Sequence, residues 1–183
     1  AGHVRVYEYS GSAWVQKGSD IDGEAAIDYS GHSVSLSDNG SIVAIGAIGN
    51  DGNGSSAGHV RVYEYSGGSW SQKGGDIDGE AAVDLSGWSV SLSDNGNIVA
   101  IGAKQNDGTA TSAGHVRVYE WNSGTSAWDQ KGSDIDGEAA TDYSGISVSL
   151  SSDGSIIAIG GYNNDGAGSN AGHVRIYEYS GGT

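Results

Sequence analysis

The stretch "AGHVRVYEYSG" opens the chain at Ala1 and returns, with small changes, at Ala57, Ala113 and Ala171. Successive openings lie 56, 56 and 58 residues apart, the extra two falling in "WNSGTSAW" where the first copy has "YSGSAW". Self-similarity at such a period means a stacked or circular array in which each unit buries its faces against its neighbours. The 183 residues are therefore read as one array: repeats 1–56, 57–112 and 113–170, and a partial fourth, 171–183.

Each repeat contains four strand-like segments bounded by Gly, Ser, Asn or Asp. Segment A, "HSVSLS", alternates Val34 and Leu36 with serines, so one of its faces is small enough for close packing. Segment B, "SIVAIGA", is nearly continuous in apolar residues and must be covered on both faces. Segment C, "HVRVYEY", alternates Val4 and Val6 with His3, Arg5 and Tyr7, and segment D, "AWVQKGSDI", is anchored by Trp14. No stretch carries a helical period, and β-branched and aromatic residues supply most of the apolar set. The pattern predicts an all-β chain.

Link lengths add topology. "SDNGS" between A and B reads as a tight Asn-Gly hairpin turn, and the C-to-D link is also short. The B-to-C link, "GNDGNGSSAG", and the D-to-A link, "DGEAAIDYSG", are longer. In an up-and-down sheet alternate links emerge at the same end, so the two long ones should share a face. Four antiparallel strands per unit describe a β-propeller blade better than a solenoid coil, with about three blades in this chain.

The run "SGHSVSLSDNGSIVAIGA", followed by "GHVRVYEY" and a Trp, resembles the FG-GAP repeat family of β-propellers, found in integrin alpha-subunit heads and in bacterial and algal surface proteins. The family's Phe-Gly corresponds to Ser30-Gly31, Ser86-Gly87 and Ser144-Gly145 here, and its Gly-Ala to Gly46-Ala47, Gly102-Ala103 and, altered, Gly160-Gly161. The resemblance implies a surface-located propeller. Calcium-binding members carry an Asp-x-Asp-x-Asp-Gly loop between A and B, where this chain has only the Asn-Gly turn, so the family's metal site is not carried over.

With 23 acidic against 8 basic side chains the net charge is −15, which repels nucleic acid and anionic membranes and attracts cations. There is no cysteine, hence no disulfide or thiolate metal site. No apolar run approaches a membrane span. The absence of methionine, with Ala1 already inside a repeat, suggests a piece of something longer, a processed product or an engineered array. Three blades cannot close a ring, so either a longer chain or association of identical chains is expected to cover the open flanks.

The acidic D-to-A link is the leading candidate site. It places Asp20, Asp22, Glu24 and Asp28 together, repeated as Asp76, Asp78, Glu80, Asp84 and as Asp134, Asp136, Glu138, Asp142, beside Asp51, Asp107 and Asp165 of the other long link. Oxygen-only ligands in flexible loops suit Ca²⁺ far better than zinc or copper. The alternative is a solvated rim whose carboxylates cap turns or pair with Arg5 and Lys17. His3, His59, His115 and His173 recur at one strand position, which suits a packing fixture better than a catalytic base; Arg5, Arg61, Arg117 and Arg175, two residues on, suit inter-blade ion pairs. Trp14, Trp70 and Trp128 fill one repeated position, whereas Trp88 stands where other copies have His32 and Ile146, making it the better exposed sugar-stacking candidate.

Phosphate loops, nucleophile elbows and His-Glu-x-x-His pairs are missing, and near-identical units offer no single asymmetric constellation. The expectation is a non-catalytic extracellular or surface module for adhesion and self-assembly, supported by Ca²⁺, with glycan or protein ligands. A multivalent lectin is the first alternative, and a consensus-like repeat without a natural ligand the second.

Overall fold

The computed structural model describes residues 1–181; Gly182 and Thr183, the end of the partial fourth repeat, lie outside the described residues. Those described are all β, with no helix among them. The strands are β1 (His3–Val4), β2 (Tyr7–Tyr9), β3 (Trp14–Gln16), β4 (Ile21–Asp22), β5 (Ser33–Leu36), β6 (Ile42–Ala47), β7 (His59–Ser66), β8 (Ser69–Gln72), β9 (Ile77–Asp78), β10 (Ser89–Leu92), β11 (Ile98–Ala103), β12 (His115–Asn122), β13 (Ala127–Gln130), β14 (Ile135–Asp136), β15 (Ser147–Leu150), β16 (Ile156–Gly161) and β17 (His173–Glu178).

Two complete meanders, β5-β6-β7-β8 and β10-β11-β12-β13, are antiparallel and share one register. Before them stand the pairs β1-β4 and β2-β3, and after them the sheet β15-β16-β17. Segment D, expected as one strand, divides. β8 pairs with the second half of β7, while β9 returns to its start through His59↔Asp78 and Val60↔Ile77. The step between them sets the acidic residues beside the first residues of β7.

The A-to-B link also differs from expectation. Of its residues only Gly40 has positive φ (61°), so Asp38–Ser41 form a four-residue loop rather than a two-residue turn with both central residues left-handed. The Asn39 side chain closes it, its Oδ1 accepting from the Ser41 amide and hydroxyl at 2.9 and 2.7 Å.

Segment B behaves as its composition demands: every residue of β6 and β11 is buried. Val43 and Ile45 face backward onto Ile21, whereas Ile42 and Ala44 face forward into a cluster with Val62, Leu92, Val99 and Ile101 of the two complete sheets. Ile98 and Ala100 repeat that forward contact against Ile157 and Ile159. Burying an Ile or Val side chain stabilises by about 1.5–3 kcal/mol, so these clusters between sheets are the main cohesive term.

The serine face of segment A does a second job. The Ser33 hydroxyl donates to the Gly87 carbonyl at 2.7 Å, and the Ser35 hydroxyl accepts from the Leu92 amide at 3.0 Å. Ser89 and Ser91 repeat both contacts, onto Gly145 and Leu150. First strands of adjacent sheets are thereby clipped together so closely that a Cβ on Gly102 would sit 2.1 Å from the Gly145 oxygen. At the far flank the cover ends. Val174 and Ile176 are 67% and 71% exposed, though their counterparts Val60 and Val62 are at 0%.

The two long links meet at one end of the sheets. The Gly49 amide donates to the Asp28 carbonyl, and Val83, Leu85 and Ser86 donate to Ser55, Ser56 and Ala57. These bonds hold Ile27, Val83 and Thr141 at φ of 72°, 73° and 64°. Left-handed backbone at such β-branched residues is strained.

Candidate functional site

The shared end of the long links gathers the acidic residues, and their surroundings sort them into distinct roles. Asp28, Asp84 and Asp142 are buried, each accepting from a backbone amide three residues earlier, at Ala25, Ala81 and Ala139. Asp84 and Asp142 also accept from the Asn106 and Asn164 amides at 3.0 and 2.8 Å. Asp51, Asp107 and Asp165 cap their own link, accepting from the amides of Ser56, Ser112 and Asn170. Asp22, Asp78 and Asp136 contribute their backbone carbonyls, which accept from Arg61, Arg117 and Arg175 at 2.8, 2.6 and 2.6 Å.

The other acids face the histidines. His59 opens β7 and His115 opens β12, and both side chains are 1% exposed. Around His59 stand Asp76 of its own repeat and Glu24 of the preceding repeat; around His115 stand Asp134 and Glu80. Within each group one ligand atom per residue lies within 4.8 Å of the others. The carboxylates stay partly open, with Glu80 42% and Asp134 32% exposed. At the third junction His173 lies 3.7 Å from Glu138.

The arginines span the same junctions. Arg61, Arg117 and Arg175 approach Glu24, Glu80 and Glu138 of the preceding repeat at 3.4, 3.7 and 3.8 Å. Arg5 instead meets Asp20 of its own repeat at 3.0 Å. The Gln16 amide and Arg5 together hold the Asp20 carboxyl below the usual range. His3 pairs into β1 opposite Asp22 at this exposed first edge. Burial holds the His59 and His115 imidazoles below their ordinary pKa, partly opposed by the neighbouring carboxylates. The rings are therefore neutral at pH 7. Such a group can offer a base, a positive charge and a lone pair within one small volume.

Sequence reasoning passed over Gln72 and Gln130, which orient Asp76 and Asp134 by donating at 2.7 and 2.6 Å. Their signal was the recurrence of Gln four residues before that Asp in every repeat. It also passed over Asn106 and Asn164, hidden in links that read as generic turn composition.

The tryptophans lie elsewhere. The Trp70 and Trp128 indoles donate to the Lys17 and Lys73 carbonyls of the preceding repeat, each at 2.7 Å, whereas Trp14 is 70% exposed. Beside Lys131, the next carbonyl in the series, a cavity of ≈ 350 Å³ opens between Leu150, Ile157, Tyr177 and Tyr179. Trp88 is not a free stacking platform: His32 packs against its ring at 4.5 Å and the Lys104 ammonium sits 3.2 Å from its centre.

No protein-family model matches the chain, and no curated protein matches it by sequence. Solved structures do resemble it in fold. A candidate 6-phosphogluconolactonase from Bacteroides uniformis matches with a TM-score of 0.61 at 10% identity, over 96% of this chain and 44% of that one. The periplasmic gluconolactonase PpgL of Pseudomonas aeruginosa matches with a TM-score of 0.58 at 16% identity, over 96% and 46%. The structure of U3-55K matches with a TM-score of 0.52 at 18% identity, over 94% and 48%. The fold is propeller-like, and the chain spans less than half the length of each.

These likenesses correct the functional expectation. A non-catalytic module for adhesion, self-assembly or sugar binding, and with it the exclusion of enzymatic activity, gives way because two of the matching structures carry lactonase names. The argument from repetition fails for a physical reason. Sites at junctions draw on two repeats each, so Glu24–His59–Asp76 and Glu80–His115–Asp134 are constellations that no single repeat contains. No helix of the described residues is long and apolar enough to cross a membrane.

Proposed function

We propose that this chain is a section of about three blades from a longer propeller hydrolase that opens the ring ester of sugar lactones, and that it works outside the cytoplasm. The blades are of FG-GAP type, in keeping with Ser86-Gly87 and Ser144-Gly145 meeting Gly46 and Gly102 of the preceding sheets. The observation that carries the reading is the carboxylate–imidazole–guanidinium grouping at the two inner junctions. The periplasmic lactonase among the matching structures supports both the substrate class and the location.

Lactone hydrolysis needs a base for the attacking water and positive charge where the carbonyl oxygen becomes an oxyanion. The partly open carboxylates of Glu80 and Asp134 provide the base, and Arg117 beside Glu80 the charge. Water adds to the carbonyl carbon as the carboxylate takes its proton. The ring C–O bond then breaks, and the ring oxygen leaves with a proton returned from the carboxyl group. Glu24, Asp76 and Arg61 offer the same set one junction earlier. The acidic end also draws divalent cations, Ca²⁺ included, through its charge.

The test is proton release from gluconolactone and its 6-phospho form, above the spontaneous rate, with and without divalent cations. Replacing both junction glutamates (E24Q with E80Q) should lower turnover about 10²–10⁴-fold, the contribution of positioned acid–base groups. A wild-type rate equal to the spontaneous rate under all these conditions refutes the proposal.

A further inference from the structure

Two buried side chains have nothing to bond. Neither ring nitrogen of His59 or His115 has a hydrogen-bond partner, although both residues are 1% exposed. A buried polar group left in this state costs about 1–3 kcal/mol, yet the arrangement occurs at both inner junctions. His59 Nδ1 faces Asp76 Oδ2 at 3.7 Å, and His115 Nδ1 faces Glu80 Oε2 at 3.7 Å and Asp134 Oδ2 at 3.9 Å. These gaps are too wide for hydrogen bonds. They lie close to the separation of about 3.4 Å between two ligands of one tetrahedral ion with 2.0–2.2 Å bonds.

The geometry points to a divalent transition-metal site at each inner junction, Glu24–His59–Asp76 and Glu80–His115–Asp134, with one imidazole and two carboxylate ligands and the fourth position open to solvent. Three features support it. Each set of ligand atoms falls within 4.8 Å, so small shifts of the partly exposed carboxylates complete the shell. The Arg117 guanidinium faces Glu80 Oε1 at 3.7 Å, an ion-pair separation, while Oε2 is directed at the ring. Gln72 and Gln130 likewise hold Oδ1 of Asp76 and Asp134, leaving Oδ2 turned toward the histidines. These are the outer contacts that fix the orientation of ligating carboxylates.

An imidazole nitrogen in the set favours the Zn²⁺ class over Ca²⁺ or Mg²⁺, which prefer oxygen alone. Two carboxylates against one guanidinium leave each group with a single negative charge for the cation to meet.

The metal site draws on the same carboxylates as the hydrolase reading, but its test measures binding, so either reading can fail without the other. Chelator-treated protein dialysed against micromolar Zn²⁺ should retain two equivalents per chain, and Co²⁺ should give the visible absorption of a tetrahedral site. E24Q and E80Q should each remove one equivalent and together both; H115Q should lose the same equivalent as E80Q, and far-UV circular dichroism of each variant guards against loss through misfolding. Excess Ca²⁺ should not displace the bound ion. Retention of less than one equivalent by the wild type, or stoichiometry unchanged in E24Q and E80Q, overturns the assignment. Two equivalents without lactone turnover would refute the hydrolase and leave the sites standing.

Discussion

Trp14 and Trp128 occupy the same place in their repeats but should differ sharply in what they contribute. Replacing Trp128 with Ala removes an indole packed against the core between the complete sheets, and strips the Lys73 carbonyl of its donor at 2.7 Å. A tryptophan buries 150–250 Å² when fully covered, and at about 25 cal/mol per Å² half of that amounts to about 2–3 kcal/mol. The lost hydrogen bond adds about 1 kcal/mol. The aromatic neighbour does not distinguish the two, since Trp128 meets Trp121 at 5.4 Å and Trp14 meets Tyr9 at 5.5 Å. W128A should therefore cost about 3–4 kcal/mol, within the range for buried Trp-to-Ala changes, and W14A less than about 1 kcal/mol. W128F, which keeps a ring but loses the N–H, should fall between them. The assay is urea unfolding followed by far-UV circular dichroism, which the lost fluorophore does not disturb. Losses equal within about 0.5 kcal/mol for W14A and W128A would refute the argument that adjacent repeats hold one another through this slot.

Other substitutions probe the junctions and links separately. G102A would drive a Cβ against the Gly145 carbonyl of the next sheet, backbone against backbone, and should destabilise by about 3 kcal/mol or more in the same assay. V83G should instead stabilise by up to about 1 kcal/mol: the side chain is half exposed at φ 73°, and relief of left-handed strain outweighs the added freedom of the unfolded chain. A loss of stability in V83G would contradict the strain assignment. S91A leaves the Leu150 amide without its acceptor and should cost about 1–3 kcal/mol, whereas a neutral result would mean the serine clips are not needed. Burial and the Lys104 ammonium hold the His32 pKa below its ordinary value, so K104Q should raise it, as followed by NMR titration. Because that folded-state pKa is depressed, His32 favours the folded state above the ordinary histidine pKa and loses that contribution as pH falls.

Much of the fold was legible because apolar periodicity and burial answer to the same geometry. Segment B reads as continuous Ile, Val and Ala, and a strand of that kind is stable only with sheets on both faces, which is where β6 and β11 lie. The shared end of the long links followed from strand parity alone. The division of segment D did not, since no pattern rule says that β9 will leave β8 and return to the start of β7. Nor did the hairpin type, where the Asn39 side chain closes a wider loop than its Asn-Gly signature suggests.

The site was legible only as a list of residue types. The sequence by itself determined that Asp, Glu, His and Arg recur in step, because a period needs nothing beyond the chain. It could not tell Asp84, buried as a cap, from Asp134, open beside His115, since both read as acids in a polar link. Only the tertiary structure decided that, because each junction group takes one member from the preceding repeat and two from the next. Which partner a side chain meets depends on what packs across the interface: Arg61 reaches back to Glu24 and Arg117 to Glu80, each of the preceding repeat, a pairing that no residue list within one repeat contains.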